Sequence, residues 1–186
     1  MLGLLEVVGD GPFGIIMARI ANRQRGIQTV VAGHHPSRLA FADPARTVDT
    51  HLVEPGAALR AANDDRGYDA AILAVASRDA LAMALQCLRP QGRLVIFAPL
   101  PGETPVDLFT VLLKELEIVG SVNDQDLMDE AINALADPAL GLSELITHRF
   151  ALAEYETAFA IAETDREGAM KIAFTFPDDL KEYRHA

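Results

Sequence analysis

The stretch Leu5-Glu6-Val7-Val8-Gly9-Asp10-Gly11-Pro12-Phe13-Gly14 limits the fold of this chain more than any other. A short apolar strand runs into Gly9-x-Gly11-x-x-Gly14. Gly9 permits a tight turn after the strand, Gly11 lets the backbone approach a pyrophosphate, and Gly14 lets the following helix pack close to the strand. The helix N-terminus then turns free N–H groups and the positive end of its dipole toward the phosphates.

The surroundings of the glycines supply the context this motif needs. Phe13, Ile16, Met17, Ile20 and Ala21 recur at helical spacing, and Gly26 stops the helix. Gln28 to Ala32 form a second apolar strand. Further on, the pattern predicts strands near 4–8, 28–32, 49–53, 70–75, 93–98 and 116–122. Helices are expected near 12–25, 37–42, 57–63, 78–88, 106–115 and 124–136. Such alternation implies an α/β fold, a Rossmann-like, doubly wound, parallel six-stranded sheet covered on both faces. Ala70 to Val75 and Leu94 to Ala98 are continuously apolar, as buried parallel strands are. A short C-terminal appendage of αβαβ pattern follows: the helix at 124–136, a strand near 145–150, a helix near 153–162 and a strand near 169–176. The expected division is a dinucleotide-binding domain over 1–123, a C-terminal segment over 124–176 and a charged, frayed tail over 177–186.

Composition narrows the function classes. The 186 residues carry a net charge of −11, which argues against a nucleic-acid partner. No apolar run is long enough to span a bilayer, and Met1-Leu2-Gly3-Leu4 shows no secretory signal, so a cytoplasmic protein is expected. The single Cys87 can form no internal disulfide and reads as a buried structural thiol. None of His34, His35, His51, His148 and His185 pairs with Cys or Glu at ligand spacing, so no metal site is predicted. His34 and His35, adjacent on extended chain, are expected to point oppositely. Asp124, Asp126, Asp129 and Glu130 read as a helix N-terminus and solvated face.

The fingerprint, in its form Val7-Val8-Gly9-Asp10-Gly11-Pro12-Phe13-Gly14, resembles that of the zinc-type medium-chain dehydrogenases, the family of alcohol, sorbitol and threonine dehydrogenases. Four further stretches resemble the family in order and spacing. They are Cys87-Leu88-Arg89-Pro90-Gln91-Gly92-Arg93-Leu94-Val95, Lys114-Glu115-Leu116-Glu117-Ile118-Val119-Gly120-Ser121, Leu145-Ile146-Thr147-His148-Arg149-Phe150 and Gly168-Ala169-Met170-Lys171-Ile172. The resemblance covers about residues 4–176 and corresponds to the family's cofactor-binding part. It implies hydride transfer between a nicotinamide and an alcohol carbon. It also implies that the zinc ligands and proton relay belong to a catalytic domain that precedes this part in the family. No catalytic or metal-ligating residue is therefore assigned here, and the segment beyond about 123 corresponds to the part that packs on that domain.

The implied cofactor contacts are graded along the strand ends. Gly9, Gly11, Pro12, Phe13 and Gly14 form the pyrophosphate loop. Gly33 stands where an NAD site places a ribose-binding Asp or Glu. With no carboxylate there, and with His34, His35 and Arg38 following, the pattern resembles the NADP-preferring branches, so NADP is expected over NAD. Val75 and Ala76 fall where family members touch the adenosine. Ala98, Pro99 and Leu100, with Ser121, Val122 and Asn123, flank the nicotinamide in the family. Lys171 falls where alcohol dehydrogenases place an Arg on the pyrophosphate. Asp10 is expected to turn its carboxylate to solvent.

The leading expectation is thus the NAD(P)-binding part of an alcohol or polyol dehydrogenase, incompetent without a separate catalytic domain or chain. The alternative is a non-catalytic NAD(P)-binding or scaffolding module. A methyltransferase on the same sheet is disfavoured, because such enzymes end the second strand in an acidic residue. In dimeric family members the sixth strand, here Leu116 to Val122, pairs across a twofold axis, so a homodimer is expected. The apolar Leu145-Ile146 and Met170-Ile172-Phe174-Phe176 are expected to meet a second partner.

Overall fold

The computed structural model describes residues 3–52, 54–122, 126–164 and 168–176. Six parallel strands form one sheet: β1 (Gly3–Val8), β2 (Ile27–Gly33), β3 (Arg46–Asp49), β4 (Tyr68–Leu73), β5 (Leu88–Ile96) and β6 (Glu117–Gly120). Their spatial order is β3-β2-β1-β4-β5-β6. The order reverses between β1 and β4, which is where open α/β sheets of this kind bind ligands. Helices α1 (Pro12–Arg23), α2 (Pro36–Leu39), α3 (Pro55–Ala61), α4 (Arg78–Cys87) and α5 (Leu108–Lys114) connect the strands.

Two buried layers cover the sheet. β1 shows the period-two alternation behind them. Leu4 and Val8 face a cluster with Val30, Leu59, Tyr68, Leu73, Leu81 and Leu94. Val7 faces the other way, onto Ile15 and Ala18 of α1, with Val31, Leu39, Leu145 and Met170. Glu6 is fully buried. Neither of its carboxylate oxygens has a hydrogen-bond partner, and burial pushes its pKa up to about 8. Cys87 is buried, as its apolar setting implies, and burial pushes its thiol up to about 12.

Local chemistry sets the helix starts. Ser77 caps α4, its Oγ accepting from the Ala80 amide at 3.2 Å. The Asp107 carboxylate caps α5, accepting from the Phe109 and Thr110 amides. The ammonium of Lys114 donates to the carbonyls of Leu85, Gln86 and Leu88 and so ties α5 to the end of α4.

Beyond the sheet lie α6 (Met128–Ala136), β7 (Ile146–Ala151), α7 (Tyr155–Thr164) and β8 (Lys171–Thr175). β7 and β8 pair in parallel as a separate two-stranded sheet. Leu145 and Met170 bury their side chains in the layer beneath α1. Arg19 of α1, itself 9 % exposed, donates to the carbonyls of Phe41, Leu140 and Gly141 and pairs with Glu144 at 3.3 Å.

Three boundaries differ from the sequence pattern. The third strand, expected at 49–53, is β3 at Arg46–Asp49. Val48 is its buried residue. The pairing ends where the Thr50 amide returns to the Gly33 carbonyl at 2.7 Å and the Asp49 carboxylate accepts from the His51 amide at 2.9 Å. The helix expected at 57–63 starts earlier, because Glu54 accepts from the Gly56 and Ala57 amides and Pro55 opens the first turn. The strand expected at 93–98 starts earlier, because Pro90-Gln91-Gly92 is absorbed into β5, with a register shift between Tyr68 and Ala70 of β4.

Candidate functional site

The glycine loop joins β1 to α1 at the reversal point of the sheet. Gly9 holds φ +127°, a conformation that L side chains rarely adopt. A Cβ there would also meet the Ala74 carbonyl carbon at 3.1 Å. At Gly14 a Cβ would collide with the Gly9 carbonyl oxygen, so the missing side chain is what lets α1 sit against β1. At Gly11 nothing lies within 4 Å of where a Cβ would be. Gly11 caps α1 with extended backbone and no side-chain bond, followed by Pro12 in the first turn. The first amides of α1 therefore face an open space that a phosphate can enter.

Beside this loop a crevice of about 390 Å³ opens at the carboxyl ends of β1, β2 and β4. Its walls include Gly9, Asp10, Gly33, His34, Val75 and Met83. Its size and placement suit an adenosine moiety.

Asp10 does not turn to solvent as the sequence reading expects. It is 5 % exposed, and its side chain crosses to the end of β2. Oδ2 accepts from the His34 amide at 2.8 Å and from the His35 amide at 2.7 Å. The ring of His35 approaches the same oxygen at 3.0 Å through Nδ1, and because the carboxylate accepts, Nδ1 carries the proton. Burial alone would raise the Asp10 pKa, but these hydrogen bonds and the His35 ring outweigh it and hold the carboxyl below its usual range. A Cβ on Gly33 would meet Asp10 Oδ2 at 2.6 Å and Cγ at 2.7 Å. Gly33 is therefore small because Asp10 lies against it.

The two neighbouring histidines also depart from expectation. Their rings lie on the same side, 4.3 Å apart, because Asp10 draws His35 in and His34 leans on His51 at 4.8 Å.

The remaining sequence-selected residues separate into two groups. Val75 lines the crevice with Gly9, Gly33 and His34. Phe13 is 56 % exposed at the start of α1, against Phe97 at 5.4 Å and beneath the Lys171 ammonium at 5.7 Å, so β8 brings Lys171 to the glycine loop. Arg38, by contrast, donates to the Ala169 carbonyl at 3.2 Å and is not in the crevice wall. Ala76 and Pro99 are exposed outside that wall, Ala98 is buried, and Leu100 packs against the core. Ser121 donates its amide to Ile96, and Val122 is 82 % exposed. Asn123 lies outside the described residues. The sequence reading did not select Thr50, Glu54, Ser77 or Asp79, all of which line the crevice. Only the capping pattern at Glu54 and Ser77 could have pointed to two of them.

Comparison with known proteins places this geometry. Residues 12–137 match the family model described as zinc-binding dehydrogenase. An L-threonine 3-dehydrogenase from Ruegeria pomeroyi is 26% identical over 175 residues, which are 91% of this chain and 51% of the relative. A short chain alcohol dehydrogenase from Escherichia coli CFT073, solved with the cofactor NADH, superposes with a TM-score of 0.84 at 22% identity, over 94% of this chain and 52% of that one. A protein from Sinorhizobium meliloti 1021, solved bound to NADP, gives 0.81 at 18% identity, over 93% and 52%. The chain spans about half the length of the relatives it matches. The chain belongs to the zinc-binding dehydrogenase family.

Proposed function

We propose that this chain is the dinucleotide-binding half of an NAD(P)-dependent alcohol or polyol dehydrogenase. The observation that carries this reading is the open space over Gly11, at the α1 N-terminus, on the glycine loop whose Gly9 and Asp10 wall a crevice at the reversal point of the sheet. In this reading the α1 amides and Lys171 hold the pyrophosphate, and Val75 and Met83 wall the adenosine. The Ala98 to Leu100 and Ser121 to Val122 strand ends orient the nicotinamide. The bound dinucleotide supplies the hydride chemistry. Substrate polarisation and proton transfer are assigned to residues outside this half.

The NADP preference expected from Gly33 loses its support. Arg38 donates through Nη2 to the Ala169 carbonyl and does not line the crevice, and a carboxylate stands beside Gly33. Zinc, which the family's name implies, finds no fitting ligand set here. Among the described residues, Asp10, His34 and His35 have donor atoms within 4.8 Å of one another. Asp10 Oδ2 is already held by two amides and a ring N–H, so these residues do not fit the ion.

Residues 1–123 are proposed to act as the cofactor domain and 124–176 as a segment covering a catalytic domain, with 177–186 as a tail. β6 is the last strand of the sheet, and the exposed Phe109, Leu112 and Leu113 of α5 lie next to it in sequence. A homodimer through this edge is proposed. No helix among the described residues is long and apolar enough to cross a membrane.

Fluorescence or calorimetric titration with NADH and NADPH tests the reading. The chain should bind at least one of them, and Gly11→Val should abolish binding without unfolding the protein. Binding of neither at millimolar concentration refutes it.

A further inference from the structure

We propose that Asp10 sets the choice between the two dinucleotides: from inside the glycine loop it presents a carboxylate at the end of β2, so the site accepts a free ribose 2′-hydroxyl and rejects a 2′-phosphate. The inference rests on reading the crevice as the dinucleotide site.

β2 ends in Gly33, which brings no carboxylate of its own. The Asp10 side chain fills the space that a side chain on Gly33 would take. A negative group is thus supplied to the same corner by a residue 24 positions earlier, bonded to the amides that follow Gly33.

The carboxylate is also held in place. Two amides and the His35 ring fix Oδ2. Oδ1 is left with one long approach to His35 Nδ1, at 3.3 Å. It retains acceptor capacity, and Asp10 lines the crevice from which a hydroxyl would donate to it. A phosphate has only acceptors to offer a carboxylate and adds like charge.

The rest of the wall favours the same choice. Among the described residues, Glu54 and Asp79 are the other charged ones lining the crevice, and no Lys or Arg lines it. Arg38, the cation nearest in sequence to the end of β2, spends a donor on the Ala169 carbonyl. A bidentate phosphate clamp of the kind arginine makes is missing from this wall.

The test is a set of paired titrations with NADH and NADPH. The intact protein should bind NADH tighter by about tenfold or more, roughly the factor one unfavourable charge contact imposes. Asp10→Asn keeps the shape and one acceptor oxygen, and Asp10→Ala removes both. Each should tighten NADPH binding and bring the two affinities within about threefold. A double variant, Asp10→Gly with Gly33→Asp, removes the Asp10 Cβ and carboxyl that lie against Gly33, returns the carboxylate to β2, and should restore the NADH preference. A gain in NADPH affinity separates specificity from structure, since a structural defect would weaken both ligands alike. Preference of the intact protein for NADPH overturns the proposal, as does an unchanged ratio in Asp10→Asn. If neither ligand binds the intact protein, the dinucleotide reading falls and this one with it. If both bind with a ratio indifferent to residue 10, only the present proposal falls. Asp10→Asn decides the matter even if the double variant fails to fold.

Discussion

Arg19 Nη1 donates to the carbonyl of Gly141 at 2.8 Å, joining the first helix to a turn 122 residues further along the chain. The same guanidinium serves Phe41 and Leu140 and faces Glu144. One buried cation thus holds the 138–145 region, and through Leu145 the root of β7, against the sheet layer. Arg19→Ala would leave the buried carbonyl of Leu140 and the half-buried carbonyls of Phe41 and Gly141 without this donor, a loss of roughly 2–4 kcal/mol in unfolding free energy. Urea denaturation measures it, with hydrogen exchange at 140–145 reporting where the loosening begins. Arg23→Ala removes only an exposed pair with Asp137 and should cost less than about 1 kcal/mol.

Glu6 should make stability fall as pH rises. Its folded pKa, about 8, lies above the ordinary carboxyl value of 4.5 that the unfolded chain approximates. Between those values the native state keeps a proton that the unfolded state has released, so the unfolded state gains ground with each step in pH. The Glu6 contribution is fully present below about 4.5 and is lost by the time pH passes about 8. Glu6→Gln should match the parent protein near pH 4.5 and exceed it at pH 8, by roughly 1–3 kcal/mol. Denaturation curves at both pH values measure it, and an advantage of Glu6→Gln that does not change with pH would mean the carboxyl is solvated.

Two of the loop glycines, Gly14 and Gly11, should separate by phenotype. Gly14→Ala pushes a methyl into the Gly9 carbonyl and should destabilise the fold by roughly 1–3 kcal/mol. Gly11→Val points into open space, so melting should hold steady while dinucleotide binding disappears. A Gly11→Val protein that binds normally would place the pyrophosphate elsewhere.

The sheet edge supplies a test of assembly. Ile118 on β6 is 36% exposed, and Leu112 on α5 is 72% exposed. Light scattering at micromolar concentration should report a dimer, and Ile118→Lys should shift it toward monomer. A parent protein that is already monomeric contradicts the expected pairing.

The sequence pattern made the sheet readable because its signals are local. Glycines at fixed offsets, apolar runs at Ala70 to Val75 and Leu94 to Ala98, and helical spacing after Phe13 each depend on near neighbours. The surroundings of Arg38 and of the Asp10 side chain are not legible for the opposite reason. Nothing adjacent to Asp10 shows that its carboxyl meets amides 24 and 25 positions later. Nothing adjacent to Arg38 shows that its donor goes to Ala169, 131 positions away. The β3 shift has the same origin, since the strand ends where Thr50 bonds Gly33 and not where its apolar run ends.

The contact between Asp10 and Gly33 also imposes an order on change. While Asp10 is present, any side chain at 33 lands on its carboxyl group, so every single substitution at 33 meets a clash. Residue 10 has no such obstacle to becoming smaller. A lineage passing between this arrangement and one with the acid on β2 must therefore reduce position 10 to glycine before position 33 changes, because the Cβ at 10 is itself in the way. It then crosses an intermediate with no carboxylate at either place, a stage at which the cofactor preference is open to selection.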